Sequence, residues 1–214
     1  MEIIYLGHSS FKLRGKSTTL VTDPYGAGIG IKFPKHTSAD IVTISHDHDD
    51  HNNVQAVEGN PFVVRGPGEY EVKGVGIVGI GVFHDDANGT KRGKNTIYRI
   101  EMDGLSIVHL GDLGHGLSSQ QVDELDGVDI LLVPVGGTYT IGAKQAAEIV
   151  AAIDPSVVIP MHYHRNDLDQ KTFGSLEPVS VFLKEMGKEG TIPVAKLSVT
   201  KDKLPEELQV IVLQ

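Results

Sequence analysis

Apolar residues recur along this chain in short runs, many of them β-branched, and several of the runs end in glycine or histidine. Ile3–Leu6 reads as a strand leading into Gly7-His8-Ser9-Ser10. Phe11–Arg14 alternates with period two and Thr18–Thr22 adds a third run, so the chain opens as an antiparallel meander. Ile41–Ile44 predicts a short buried strand, followed by a helical turn at Asn53–Glu58 and strands at Pro61–Arg65, Glu69–Lys73 and Val75–Phe83. Asp103-Gly104 between Asn95–Met102 and Leu105–Leu110 is a two-residue hairpin signal. Helical spacing follows: a capping box, Ser118-x-x-Gln121, opens a short helix through Leu125, and Gly142–Ile153 groups Ala146, Ala147, Ile149, Val150 and Ile153 on one face before Pro155 stops it. Asp129–Val135 and Val157–Pro160 read as buried, parallel-type strands. Pro178–Gly187 predicts the last helix, and Ala195–Thr200 and Leu208–Leu213 close the sheet. Residues 24–38 have no period and several glycines, which predicts a loop whose Tyr25, Ile29, Ile31 and Phe33 are candidate pocket walls. No repeat or linker divides the chain, so the expectation is one mixed α and β domain over residues 1–214.

Composition narrows the function. The 214 residues are 40% hydrophobic, enough for a sizeable core, and hold no apolar run of the roughly 18 residues a membrane helix needs. Met1 leads straight into the first strand with no basic leader, which predicts a soluble, unprocessed, cytoplasmic protein. The absence of cysteine excludes a disulfide framework and a thiol nucleophile, and leaves only nitrogen and oxygen ligands for any metal. A net charge of −9 argues against a nucleic-acid partner and for a small-molecule substrate. The nearest approach to a basic cluster, Lys91-Arg92-Gly93-Lys94, is too short to track a polymer backbone.

The candidate chemistry centres on Ser45-His46-Asp47-His48-Asp49-Asp50-His51-Asn52, where the Ile41–Ile44 run opens into a loop. His46 and His48 are two apart, so on extended backbone they share one side and can share an ion. Asp50 and His51 follow after the chain has turned and can serve a second ion beside the first. Strand end, histidine and polar loop recur at His84, the expected third ligand of the first ion. Gly111-Asp112-Leu113-Gly114 sets an aspartate among glycines at a strand end, where it either projects from the sheet edge or bonds its own turn. Val157–Pro160 again runs into histidine, at His162 and His164. His8 either faces the same site or is satisfied by backbone. His109, three residues before Asp112, reads as structural. His115 either lines the pocket or stands apart from it, and Tyr139 and Thr140 are candidate substrate contacts.

The pattern His46-x-His48-x-Asp50-His51 after a hydrophobic strand resembles the signature of the metallo-β-lactamase fold superfamily. Gly7-His8-Ser9, Asp23-Pro24 and Ile159-Pro160-Met161-His162-Tyr163 resemble a branch of small hydrolase-like proteins. The resemblance implies a four-layer α/β/β/α sandwich with the site along one edge of two packed sheets. It implies that His46, His48 and His84 hold one divalent ion, that Asp50, His51 and His162 hold another, and that Asp112 bridges them. Zinc is the leading metal, with iron or manganese as alternatives. A water between the ions would act as hydroxide on a small ester-like or lactone substrate, with Asp50 and Asp112 orienting it and handling the proton. The alternatives within the fold are a phosphodiesterase or nuclease, a redox diiron protein, which would carry Glu at position 48 and a flavin domain, and a metal-binding protein without hydrolytic activity.

Overall fold

Period-two alternation of inward apolar positions assembles two mixed sheets, described for all of residues 1–214 in a computed structural model. In chain order the elements are β1 (Glu2–Gly7), β2 (Ser10–Arg14), β3 (Thr19–Thr22), β4 (Ile41–Ile44), β5 (Phe62–Arg65), β6 (Gly68–Val72), β7 (Val75–Phe83), β8 (Lys94–Met102) and β9 (Leu105–His109). They continue as α1 (Ser119–Glu124), β10 (Ile130–Pro134), α2 (Ala143–Ile153), β11 (Val157–Met161), α3 (Gln170–Phe173), α4 (Val179–Glu185), β12 (Leu197–Ser198) and β13 (Gln209–Val210). The six-stranded sheet runs β12-β1-β2-β3-β4-β5 and the seven-stranded sheet β13-β11-β10-β9-β8-β7-β6.

Strand direction decides where the chemistry falls. β1, β2 and β3 are antiparallel neighbours, whereas β3, β4 and β5 are parallel, so β1, β3 and β4 all point the same way. In the other sheet β7, β8 and β9 are antiparallel and β9, β10 and β11 parallel, which again aligns β7, β9 and β11. The carboxyl ends of three strands in each sheet therefore open onto one edge, the usual place for ligands in sheets of this kind.

Between the sheets lies a cluster of 21 buried residues, to which β1 gives Ile3 and Tyr5, β9 Leu105 and Ile107, and β11 Val157, Ile159 and Met161. The alternate positions of the seven-stranded sheet, among them Val108, Leu131, Val133 and Val158, join α2 and α4 in a second cluster of 22. The outer face of the six-stranded sheet differs. Val21, Val42 and Ile44 are covered by Val57, Val54 and Phe33, from 3-10 turns and loop rather than an α-helix. The fourth layer of the sandwich is therefore thin, because Asn53–Glu58 closes only one turn and the glycine-rich 24–38 segment cannot propagate a helix.

Local signals explain the element boundaries. Ser118 and Gln121 form the expected reciprocal cap on α1. Asp103 and Gly104 both take positive φ, 55° and 79°, the primed turn that matches strand twist. The terminal strands are shorter than expected, two residues each at Leu197–Ser198 and Gln209–Val210. No helix is long and apolar enough to cross a membrane.

Candidate metal centre

His8 follows β1, Asp23 follows β3, residues 45–51 follow β4, His84 follows β7, Asp112 lies beyond β9 and His162 follows β11. The two sheets pack so that these strand ends meet. At their centre is Asp112 Oδ2, which lies 3.2 Å from His162 Nε2, 3.3 Å from His51 Nε2, 3.3 Å from His84 Nε2 and 4.0 Å from His46 Nε2. Nitrogen and carboxylate atoms cluster within 4.8 Å in three overlapping sets: His46, His48 and His84; His8, Asp50, His51 and His162; and His46, His51 and Asp112. All seven residues singled out by the sequence thus converge, and the two expected trios fall into separate sets around Asp112.

A buried carboxylate beneath the cluster fixes its orientation. Asp23 accepts the Ser45 N–H at 2.7 Å, the Ser45 hydroxyl at 2.5 Å and His51 Nδ1–H at 2.8 Å. The Ser45 oxygen in turn accepts from His46 Nδ1 at 2.9 Å. With Nδ1 committed in both rings, Nε2 of His46 and His51 is left facing Asp112, as metal-binding imidazoles require. Asn95 holds the third loop, its Oδ1 accepting the Asp112 N–H at 3.0 Å and its amide donating to Leu110 O at 2.9 Å. Gly114 packs so closely on the backbone of His84 and Asp85 that a Cβ there would overlap it. The close approach of the β7 and β9 loops needs that glycine.

Residues 2–162 match a family model described as a beta-lactamase superfamily domain. A UPF0173 metal-dependent hydrolase from Thermococcus onnurineus is 32% identical over 191 residues, which cover 77% of this chain and 85% of the relative. The chain belongs to the metallo-β-lactamase superfamily. Within it, a UPF0173 metal-dependent hydrolase from Thermoplasma acidophilum is 30% identical over 193 residues, 78% of this chain and 85% of its own length. A crystal structure from Thermotoga maritima, described as a candidate Zn-dependent hydrolase of this superfamily, superposes with a TM-score of 0.81 at 39% identity, covering 99% of this chain and 97% of that one. The metallo hydrolase Igni18 from Ignicoccus hospitalis shares the fold, with a TM-score of 0.67, 22% identity and coverage of 99% and 94%. This member of the metallo-β-lactamase superfamily stands among its metal-dependent hydrolases.

The electrostatics of this superfamily member's site suit cations. Burial pushes His46 down to about 3, reinforced by His51, and pushes His8 down to about 4, reinforced by His162. Burial likewise lowers His84. Burial opposes ionisation of Asp112 but is outweighed by the imidazoles of His162 and His51, so its carboxyl is held well below the usual range. Asp50 is held low against burial by His51 and His8. His51 moves the other way: burial disfavours its charge, yet Asp112, Asp50 and the hydrogen bond to Asp23 raise it well above the ordinary value.

Other residues resolve the readings left open by sequence. His8 belongs to the site: buried at φ 55°, its Nε2 lies 3.1 Å from Asp50 Oδ2. His109 is structural, contacting Ser9 O at 2.8 Å and accepting the Gly111 N–H at 3.1 Å. His115 stands apart as a clip between loops, accepting the Phe83 N–H at 3.2 Å and donating to Gly116 O at 2.7 Å. His164 pairs with Gln170 at 3.0 Å, away from the cluster. A cavity of about 400 Å³ opens over Asp112 and is walled by Gly28, Ile29, Arg92, Tyr139, Thr172 and Phe173. Of the expected walls, Ile29 and Tyr139 line it. Tyr25, Ile31 and Phe33 instead belong to the small apolar cluster beneath, and Thr140 is buried. Phe173, on α3, was not visible as a site residue, because a four-residue helix has too little periodicity to predict. For Asp23-Pro24 the resemblance implies a place near the metal floor, and the structure adds its partners, Ser45 and His51.

Proposed function

We propose that this chain is a binuclear metal-dependent hydrolase acting on a small ester-like, lactone or related substrate. His46, His48 and His84 would hold one ion and Asp50, His51 and His162 the other, with Asp112 between the two donor sets. The observation that carries this reading is the convergence of three imidazole Nε2 atoms within 3.3 Å of one carboxylate oxygen. The Nε2 atoms of His46, His51 and His162 are also buried without hydrogen-bond partners. Buried polar atoms are seldom left unpaired, and imidazole nitrogens with carboxylates are the donor set expected for zinc, with iron and manganese as alternatives. The proposal places the enzyme in the cytoplasm and treats residues 1–214 as one catalytic domain.

When bound, such an ion pair supplies an activated water near neutral pH and stabilises charge that develops on the substrate oxygen. The chain's own groups do the rest. Asp112, ionised and anchored through Asn95, sits between the two donor sets and holds the attacking group in place. Asp50 is partly open to the cavity and hydrogen-bonded on one oxygen by His8, so its carboxylate can accept the proton of the attacking group and return it to the leaving group. Ile29 and Phe173 give the cavity an apolar wall beside the donor set.

The test is a turnover screen of lactones, thioesters and bis-p-nitrophenyl phosphate. Hydrolysis of at least one carbon-centred substrate is expected, abolished by chelation and restored by zinc, iron or manganese. Turnover that survives complete metal removal, or none on any substrate, contradicts the proposal. A second expectation concerns pH. In the metal-free protein His51 keeps its proton up to its raised value, so loading an ion on its Nε2 must expel that proton. Metal affinity should therefore rise with pH across neutrality and fall as acid restores the proton. Calorimetry of metal uptake in two buffers of different ionisation enthalpy reads the release directly, and identical heats would count against it.

A further inference from the structure

Lys91-Arg92-Gly93 closes the loop between β7 and β8, Lys94 opens β8, and the loop is built around one carboxylate. Asp85, the residue after His84, is only 2% exposed and accepts four backbone N–H groups. Ala87 and Gly89 donate to Oδ1 at 2.8 and 3.0 Å, and Lys91 and Arg92 to Oδ2 at 3.0 and 2.7 Å. These four hydrogen bonds wrap the loop around the Asp85 carboxylate. The position of Arg92 is thereby referenced to the site residue one step before Asp85.

Arg92 reaches over the cavity mouth. Its Nη2 donates to Thr138 O at 3.2 Å and its guanidinium lies 5.5 Å from the centre of the Tyr139 ring. That leaves most of its five donors free, and no carboxylate lies within 4.0 Å of it. It is the only lysine or arginine lining the cavity over Asp112, and it also lines an adjoining cleft that shares His48. The cleft adds Arg65 and Lys94. Lys94 has no carboxylate partner and Arg65 only a loose one, Asp47 at 3.8 Å. In a chain of net charge −9, three cations with little or no pairing converge on one edge, beside the donor atoms. The cavity wall also carries the carboxylates Asp49, Asp50 and Asp112, and the cleft Asp47. Asp50 and Asp112 belong to the proposed ion-binding set, whose ions would offset their charge, and Asp47 is the loose partner of Arg65, so exposed Asp49 is the one cavity carboxylate outside that set, against the three cations.

We propose that the substrate is an anion whose carboxylate or phosphate group lies on Arg92, at the junction of the two cavities, with Arg65 and Lys94 receiving any longer anionic extension. This rests on the hydrolase reading above for the position of the scissile bond. The planar fork of Arg92, braced by Thr138 and Tyr139, suits paired hydrogen bonds to a flat or tetrahedral oxyanion, and bidentate contacts of this kind confer orientation as well as affinity.

The experiment is an equilibrium titration that needs no turnover. The probes are ethylphosphonate, 3-phosphonopropionate and 1,2-ethylenediphosphonate, each titrated calorimetrically into zinc-loaded wild type, Arg92→Ala and Arg92→Lys. Ethylphosphonate has one head for the ions; the other two add a carboxylate or a phosphonate at the far end. At least one two-headed probe should bind wild type about 10- to 100-fold more tightly than ethylphosphonate, and the larger gain identifies the preferred anion. Arg92→Ala should lose that gain while ethylphosphonate affinity stays within about twofold, and Arg92→Lys should recover part of it. No gain in wild type, or the same gain in Arg92→Ala, overturns the proposal, as does equal weakening of all three probes, which marks Arg92 as a structural brace. Failure of the hydrolase reading is seen separately, in the turnover screen.

Discussion

Asp112→Asn is expected to lower turnover at least about 10³-fold, a loss of roughly 4 kcal/mol of transition-state stabilisation, while leaving a cooperatively folded protein. The substitution keeps the shape of the side chain and removes its charge. Asp112 Oδ2 is the atom nearest to His51, His84 and His162 at once, so a neutral amide leaves the two donor sets without the anion between them. The fold should survive because the large apolar clusters between the sheets and beneath the helices do not include Asp112. The measurement is kcat/KM on whichever substrate the screen returns, beside near-ultraviolet circular dichroism. Unchanged turnover in a folded variant removes Asp112 from the mechanism.

Asp23→Ala should destabilise the protein by about 3–5 kcal/mol, because removing one partner of a buried charged pair leaves the others unpaired in the interior. The Ser45 N–H, the Ser45 hydroxyl and His51 Nδ1 would all lose their acceptor. Asp23→Asn separates stability from function. It preserves volume and can still accept, but its amide no longer fixes the tautomers of His51 and, through Ser45, His46, so affinity for the ions should fall about 10- to 100-fold. Urea unfolding measures the first effect and metal titration the second. Wild-type metal affinity in Asp23→Asn would show that the hydrogen bonds below the cluster do not orient it.

The carboxyl-end edge was legible because three features repeat: a β-branched run, its end in a histidine or Gly-Asp, and a polar loop. His46, His48, His51, His84 and His162 all carry that mark. What the sequence could not show is which loop lies beneath which. Asp23 and His8 are far from His51 and Asp50 along the chain, and only the parallel pairing of β3 with β4 and the common direction of β1 bring them together. The thin outer layer over the six-stranded sheet and the role of Phe173 were hidden for a related reason: short turns and a four-residue helix have no period to read. Arg92 illustrates the limit most clearly. In sequence Lys91-Arg92-Gly93-Lys94 is a minor basic run in an acidic chain, and it gains meaning only when folding sets Arg65 and His48 beside it.

The most direct test of the account is anomalous diffraction from crystals grown with the loaded metal. Two peaks roughly 3.5–4 Å apart are expected, flanking Asp112 Oδ2, one beside His46, His48 and His84 and the other beside Asp50, His51 and His162. A single peak at full loading, or metal bound away from Asp112, would contradict it.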